Sequence, residues 1–274
     1  MKSLLCAVLL LLVSAVTGLS KRDAVPLDED LYPEPNGYAH YDARFMVQAL
    51  DEEPHRDVLR ILIQTYLATC RELGVQTWLM HGSLLGWWWG KKVCLFTNAR
   101  RVAASLTASK IMPWDMDADV QVTEVDLYYL AAHHNMTVYY YQYGDMKDGR
   151  YFLLDVNPHF EHRDTDDALN LIDARWIDMA TGLFIDITAA RYHLEHEAGE
   201  GILYDKNGHE FRDTYVYPLR NTTFEGVRAM IPFRYKEMLE SEYGKDSLKD
   251  TTFHGHVFDE KKMQWVLEPR EERV

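Results

Sequence analysis

Residues 76–92, QTWLMHGSLLGWWWGKK, and residues 111–122, IMPWDMDADVQV, decide how this chain is read. The first offers an apolar strand running into a small-residue turn, His81-Gly82-Ser83, with a short helix after it at 84–89. The second sets Asp115, Asp117 and Asp119 at alternate positions. In an extended strand residues i and i+2 share a face. A strand here would therefore hold Asp117 and Asp119 side by side, with Ala118 and Val120 on the other face. Adjacent carboxylates on an apolar strand repel each other and resist burial. A divalent cation answers both difficulties. Mg²⁺ and Mn²⁺ take oxygen ligands and can keep one side open for a substrate phosphate. A glycine turn entering a helix adds backbone N–H groups that suit a phosphate. The expectation is a metal-dependent site for phosphoryl-group transfer.

Downstream, 183–188 reads as an apolar strand with Asp186 at its centre, a candidate third carboxylate for metal or for base work. The rest of the chain reads as a mixture of elements. Val58, Ile61, Leu62, Tyr66 and Leu67 recur at helical spacing and Gly74 ends that helix. Segment 123–134 is helical, with Thr123 as cap. Segments 137–143 and 150–156 are strands joined hairpin-fashion through Gly144 to Gly149, and 174–179 is another strand. Residues 161–167 read as an acidic surface loop, and 232–244 as a final helix. No strict βαβ rhythm or internal repeat emerges, so α+β is the expected class.

The chain has 274 residues, 47% apolar and 26% charged, as in a globular protein. A net charge of -14 argues against nucleic-acid or anionic-membrane binding. Lys2, the apolar run 4–16 and the small residues Val16-Thr17-Gly18 read as a secretory signal, followed by the dibasic pair Lys21-Arg22. The division expected is 1–22 signal, 23–50 extended lead-in, 51–250 main domain and 251–274 tail. The sequons at Asn135 and Asn221 fit passage through the secretory pathway. After signal removal only Cys70 and Cys94 remain, too few for a disulfide scaffold or a zinc-ligand spacing.

Residues 93–110, VCLFTNARRVAASLTASK, differ in character: basic, without acids and without a period. They read as translated intron sequence. Val93-Cys94 can be encoded by a fungal intron start, Leu106-Thr107 by a branch point, and Lys110 can end in AG. The other reading is a basic loop whose Arg100 and Arg101 hold phosphates.

With that segment set aside, HGSLLG followed by PWDMDAD resembles the LicD family, whose core is His-Gly-Ser/Thr-Leu-Leu-Gly and then Pro-Trp-Asp-x-Asp-x-Asp. Within it, the chain is most similar to the fungal mannosylphosphorylation proteins. HYDARF at 40–45, TGLFIDIT at 181–188, FEGV at 224–227 and IPFRYKEMLESEYG at 231–244 extend the resemblance over about 40–245. It implies a nucleotidyltransferase-like mixed sheet flanked by helices, and transfer of a phosphate-linked group, mannose phosphate or similar, from a nucleotide-linked or other activated phosphate donor to a glycan acceptor. By the same resemblance Gly82 and Ser83 hold the donor phosphate. Asp117, Asp119 and Asp186 hold Mg²⁺ or Mn²⁺ and carry catalysis, and Asp115 supports them. His81 is either a substrate contact or structural. Trp87 could stack on a sugar or base, although core is the default for Trp87 to Trp89. Arg191 could pair with a phosphate or lie in a surface salt bridge. Two other functions compete: a non-catalytic partner of a separate mannosylphosphate transferase, and a metal-dependent glycosyltransferase. The place of action expected is the Golgi lumen or beyond.

Overall fold

The computed structural model of the chain describes residues 40–96, 110–142, 146, 148–163, 170–262 and 264–268, with only the backbone of 91–96. The signal segment, most of the 23–50 lead-in, the Gly144-Asp145 turn, much of the acidic loop and nearly all of 93–110 lie outside those residues.

The apolar stripe of the first helix, α1 (Glu52–Leu73), buries Val58, Leu59, Leu62, Ile63, Tyr66, Leu67 and Cys70 against the sheet. Each such side chain contributes about 1.5–3 kcal/mol relative to exposure. Gly74, at a φ of 73°, ends the helix in the left-handed conformation that only glycine adopts without strain. Cys70 is a free, buried thiol whose pKa burial pushes up to about 12.

Next come β1 (Thr77–Leu79), α2 (His81–Phe96), β2 (Asp119–Thr123) and α3 (Glu124–His133). The Thr123 hydroxyl caps α3, accepting the Asp126 N–H at 3.0 Å. Then follow β3 (Thr137–Tyr141), β4 (Arg150–Val156), β5 (Ala174–Asp178) and β6 (Phe184–Tyr192). The sheet order is β1-β2-β6-β5-β4-β3, antiparallel except where β2 runs parallel to β6. That parallel pair sits mid-sheet, and β6 is buried from Phe184 to Ala190, which is why its sequence reads as a continuous apolar run.

A ribbon, β7 (Ile202–Tyr204) and β8 (Glu210–Arg212), extends from the end of β6. After the short helix α4 (Asp213–Val216) come the hairpin β9 (Arg220–Phe224) and β10 (Val227–Ile231), then α5 (Tyr235–Tyr243). Tyr41 bridges to Leu183, so the 40–50 segment docks on the start of β6. Beneath the sheet lies a buried ionic knot: Asp173, fully buried, meets Lys206 Nζ at 2.9 Å and Arg163 at 2.9 Å.

Four expectations need correction. The expected strand carrying Asp117 begins only at Asp119, and Asp117 lies in the preceding loop. Pro113 lacks an N–H for a ladder, Asp115 N–H turns back to Met112, and His55 Nε2 on α1 holds the Met116 carbonyl at 2.8 Å. The His81-Gly82-Ser83 turn is itself the first turn of α2, because the Leu84 N–H already donates to Met80. The final helix begins at Tyr235 rather than at residue 232, and the preceding segment is the β9–β10 hairpin. The expected tail folds: β11 (Thr252–Phe253), β12 (His256–Asp259) and β13 (Gln264–Leu267) form a small sheet. Its Phe258 and Trp265 pack on Trp89 at ring separations of 4.9 and 4.8 Å. Among the described residues no helix is long and apolar enough to cross a membrane.

Candidate functional site

The parallel pairing of β2 with β6 sets Asp119 directly opposite Asp186. Both are fixed by the backbone. Asp119 N–H donates to Ser83 Oγ at 3.0 Å, Met80 N–H donates to the Asp119 carbonyl, and Asp186 N–H donates to the Ala118 carbonyl. Ser83 is fully buried, so its hydroxyl positions Asp119.

Asp115 and Asp117 come from the 111–118 loop, which is tied to α1 through His55 and lies against α2 at Gly82. One side-chain oxygen of Asp117 and one of Asp186 lie within 4.8 Å of each other and of a His40 nitrogen. His40 Nδ1 approaches Asp117 Oδ2 to 3.3 Å. An Asp115 oxygen stands 2.5 Å from where a Cβ would project at Gly82. Glycine is needed at the start of α2 because a carboxylate occupies the space a side chain would take. His55 takes part from below. Its Nε2 faces a carbonyl and so carries the hydrogen, leaving Nδ1 to accept from the Tyr41 hydroxyl at 3.3 Å.

Crowding shows in the protonation of these groups. Burial, then the charges of Asp117, Asp186, Asp115 and Glu242, raises the Asp119 pKa well above the carboxylate range. Burial and Asp117 push Asp115 up to about 8. Burial also raises Asp186, although Arg175 Nε donates to it at 3.0 Å and opposes the shift. The Arg175 guanidinium is itself stacked 3.7 Å over Phe184. Asp119 thus lies in the field of Asp117, Asp186, Asp115 and Glu242, while buried Arg175 is paired to Asp186. Buried like charges are stable only when protonated or bound to a cation; Asp117 and Asp186 with His40 beside them, and Asp119 opposite Asp186, give an oxygen-rich donor set that suits a hard divalent ion.

Comparison with known proteins identifies the domain that carries these aspartates. Residues 104–234 match the nucleotidyltransferase domain described as LicD/FKTN/FKRP. The chain carries a LicD-family domain. It is 32% identical over 152 residues to Mannosyltransferase regulator 4 of Saccharomyces cerevisiae, covering 54% of this chain and 11% of that relative. It is 30% identical over 131 residues to Mannosyltransferase regulator 14 of the same yeast, covering 47% of this chain and 12% of the relative. The chain therefore spans only about a ninth of the curated relatives it matches.

The LicD domain leaves two of the expected substrate residues apart from the carboxylates. Trp87 is buried, donates to Thr222 Oγ1 at 2.7 Å and packs edge-on against Tyr235 at 5.0 Å, so it is core. Arg191 pairs with Glu124 at 2.8 Å. It lies five residues along β6 from Asp186, hence about 16 Å away and on the opposite face. His81 is buried and bonds Glu242 Oε1 through Nδ1 at 2.7 Å. Asn135 and Asn221 are both exposed.

Sequence reasoning had given no role to His40, Arg175, Asp205, His209, Glu242 or Tyr243. Arg175 carried a usable signal: it is the one cation inside the apolar strand 174–178, and it pairs in register with Asp186. Glu242 and Tyr243 reach the site from the last turn of α5, where Glu242 and the nearby aspartates, after burial, raise the Tyr243 pKa above the ordinary phenol range. Nothing local in ESEYG foretells that.

Proposed function

We propose that the LicD domain transfers a phosphate-linked group, mannose phosphate or a near analogue, from a nucleotide-linked donor to glycans in the lumen of the secretory pathway. The observation that carries this reading is the opposition of Asp119 and Asp186 across the parallel pair, with Asp117 in the preceding loop close to Asp186 and His40. Asp117, Asp119 and Asp186 would hold Mg²⁺ or Mn²⁺, which supplies neutralisation of phosphate charge and polarisation of the transferred group. Ser83 and Arg175 keep Asp119 and Asp186 in place, so little reorganisation is needed when a donor arrives. Gly82 makes room for the Asp115 carboxylate against the first turn of α2, and Ser83 is committed to Asp119, so neither is free to hold a donor phosphate as the resemblance implied. Asp186 has a second possible role, accepting the proton of the acceptor hydroxyl.

The test is incubation of the purified chain with nucleotide-linked sugar donors, an oligomannose acceptor and Mn²⁺, read by mass spectrometry. A mass gain of one sugar phosphate, absent with Asp119→Asn, is expected. No gain with any donor, or an equal gain in the variant, overturns the reading.

A second reading is favoured by the printed names of the two yeast relatives, both regulators of a mannosyltransferase. On that reading the chain stimulates a separate transferase. A regulator keeps its stimulating effect when Asp117 and Asp119 are changed to Ala, whereas an enzyme loses turnover.

A further inference from the structure

Beside the carboxylates lies a second cluster that the transfer reading does not use. His81 opens α2, and the tight turn between β7 and β8, made by Gly208 at a φ of 79°, presents Asp205 and His209 to it. The two imidazoles stand 4.6 Å apart between ring centres. One donor atom each from His81, Asp205 and His209 falls within 4.8 Å of the others. Both rings are oriented in the same manner. His81 Nδ1 faces Glu242 at 2.7 Å, and His209 Nδ1 faces Asp205 at 3.1 Å. A carboxylate can only accept, so each Nδ1 carries a hydrogen and each neutral ring keeps its lone pair on Nε2. A carboxylate behind the distal nitrogen is how metal-binding histidines are held and made more basic.

His81 is only 9% exposed, and its Nε2 is buried without a hydrogen-bond partner. An orphaned buried nitrogen of this kind costs stability unless a ligand meets it. Asp205 is already engaged with Gln121 Nε2 and the N–H groups of Asn207 and His209, which leaves it as the support rather than the principal ligand.

We propose that His81 and His209 bind a late first-row divalent cation of the Zn²⁺ and Co²⁺ class, at a site adjoining but separate from the carboxylates. Two imidazole nitrogens select such ions, whereas the carboxylate site offers three aspartates against the single nitrogen of His40 and favours Mg²⁺ or Mn²⁺. Glu242, whose charge acts on both Asp119 and His209, lies between the two. The inference stands on the histidines and does not require that the chain transfer anything.

The experiment is Co²⁺ titration of the metal-stripped full chain in excess Mg²⁺, followed by visible absorption, with circular dichroism confirming the fold of each variant. The expected result is one tight equivalent with the intense bands of a four- or five-coordinate site. Affinity falls at least tenfold in His209→Ala and His81→Ala, about 10–100-fold in Asp205→Asn, and is unchanged in Asp117→Asn. His209→Ala carries the test if His81→Ala does not fold, since His209 lies on a turn. Equal Co²⁺ binding in His209→Ala overturns the proposal. So does loss of the signal in Asp117→Asn, which would put the ion on the carboxylates. So does a metal-free chain that binds inorganic phosphate through His209 and gives no Co²⁺ bands. Mn²⁺-dependent transfer is scored separately, and its absence leaves the Co²⁺ result intact.

Discussion

Asp117→Asn should stabilise the metal-free chain and weaken the metal-loaded one. Asp117 and Asp186 offer oxygens within 4.8 Å of each other. Two unit charges at that distance repel by about 3.5 kcal/mol at an effective dielectric of about 20. Proton uptake by the raised carboxyls already relieves part of this. The isosteric amide should therefore recover about 1–3 kcal/mol in EDTA at pH 8. For a chain of this size that is a rise of about 3–10 °C in Tm. With Mn²⁺ at about 100 times its Kd the native protein gains about 2.7 kcal/mol, and the variant, short of one ligand, gains much less. The order of the two melting curves should thus reverse between EDTA and Mn²⁺, as read by scanning calorimetry. A variant that melts below the native chain in EDTA, or responds to Mn²⁺ as fully, refutes the electrostatic account of the cluster.

Other changes have equally definite outcomes. Gly82→Ala places a methyl on the Asp115 carboxylate, so transfer should drop at least tenfold while urea stability changes by less than about 1 kcal/mol, alanine being the better helix former. Asp173→Asn removes the carboxylate that buried Lys206 and Arg163 share and should cost about 3–5 kcal/mol in urea unfolding. The metal-free chain should lose stability as pH rises from about 4 to about 8. The folded Asp115 keeps its proton up to about 8, the unfolded one releases it near 4, and the state holding more protons is disfavoured as pH rises. Mn²⁺ should flatten that slope in a thermal-shift series. Cys70, with its thiol pushed up to about 12, should resist iodoacetamide until the chain unfolds.

Much of this was legible in the sequence where one pattern governed one element. The α1 stripe with Gly74, the Thr123 cap, and the apolar run around Asp186 all read correctly from residues alone. Alternation misled at Asp117. A spacing of two looks like a strand, but the backbone there is held by His55 from 61 residues away and by a proline. For Trp87 the default reading as core holds, although no local cue names Thr222 and Tyr235 as the partners behind it. The second half of the site is non-local in the same sense. His209 and Glu242 meet His81 only because the β7–β8 ribbon and the end of α5 return over the start of α2.

The contact at Gly86 bears on the odd stretch 93–110. The Lys110 carbonyl lies 2.6 Å from where a Cβ would project at Gly86, and Ile111 N–H is tied to Glu225 at 2.8 Å. The polypeptide thus re-enters the domain alongside the helix it has just left, moored to that helix and to the β9–β10 turn before it reaches the aspartates. Editing the length of 93–110, whether by splicing in the cell or by deletion at the bench, would shorten the end of α2 without changing the register of any strand in the sheet. Two gene products of unequal size could carry the same carboxylate cluster.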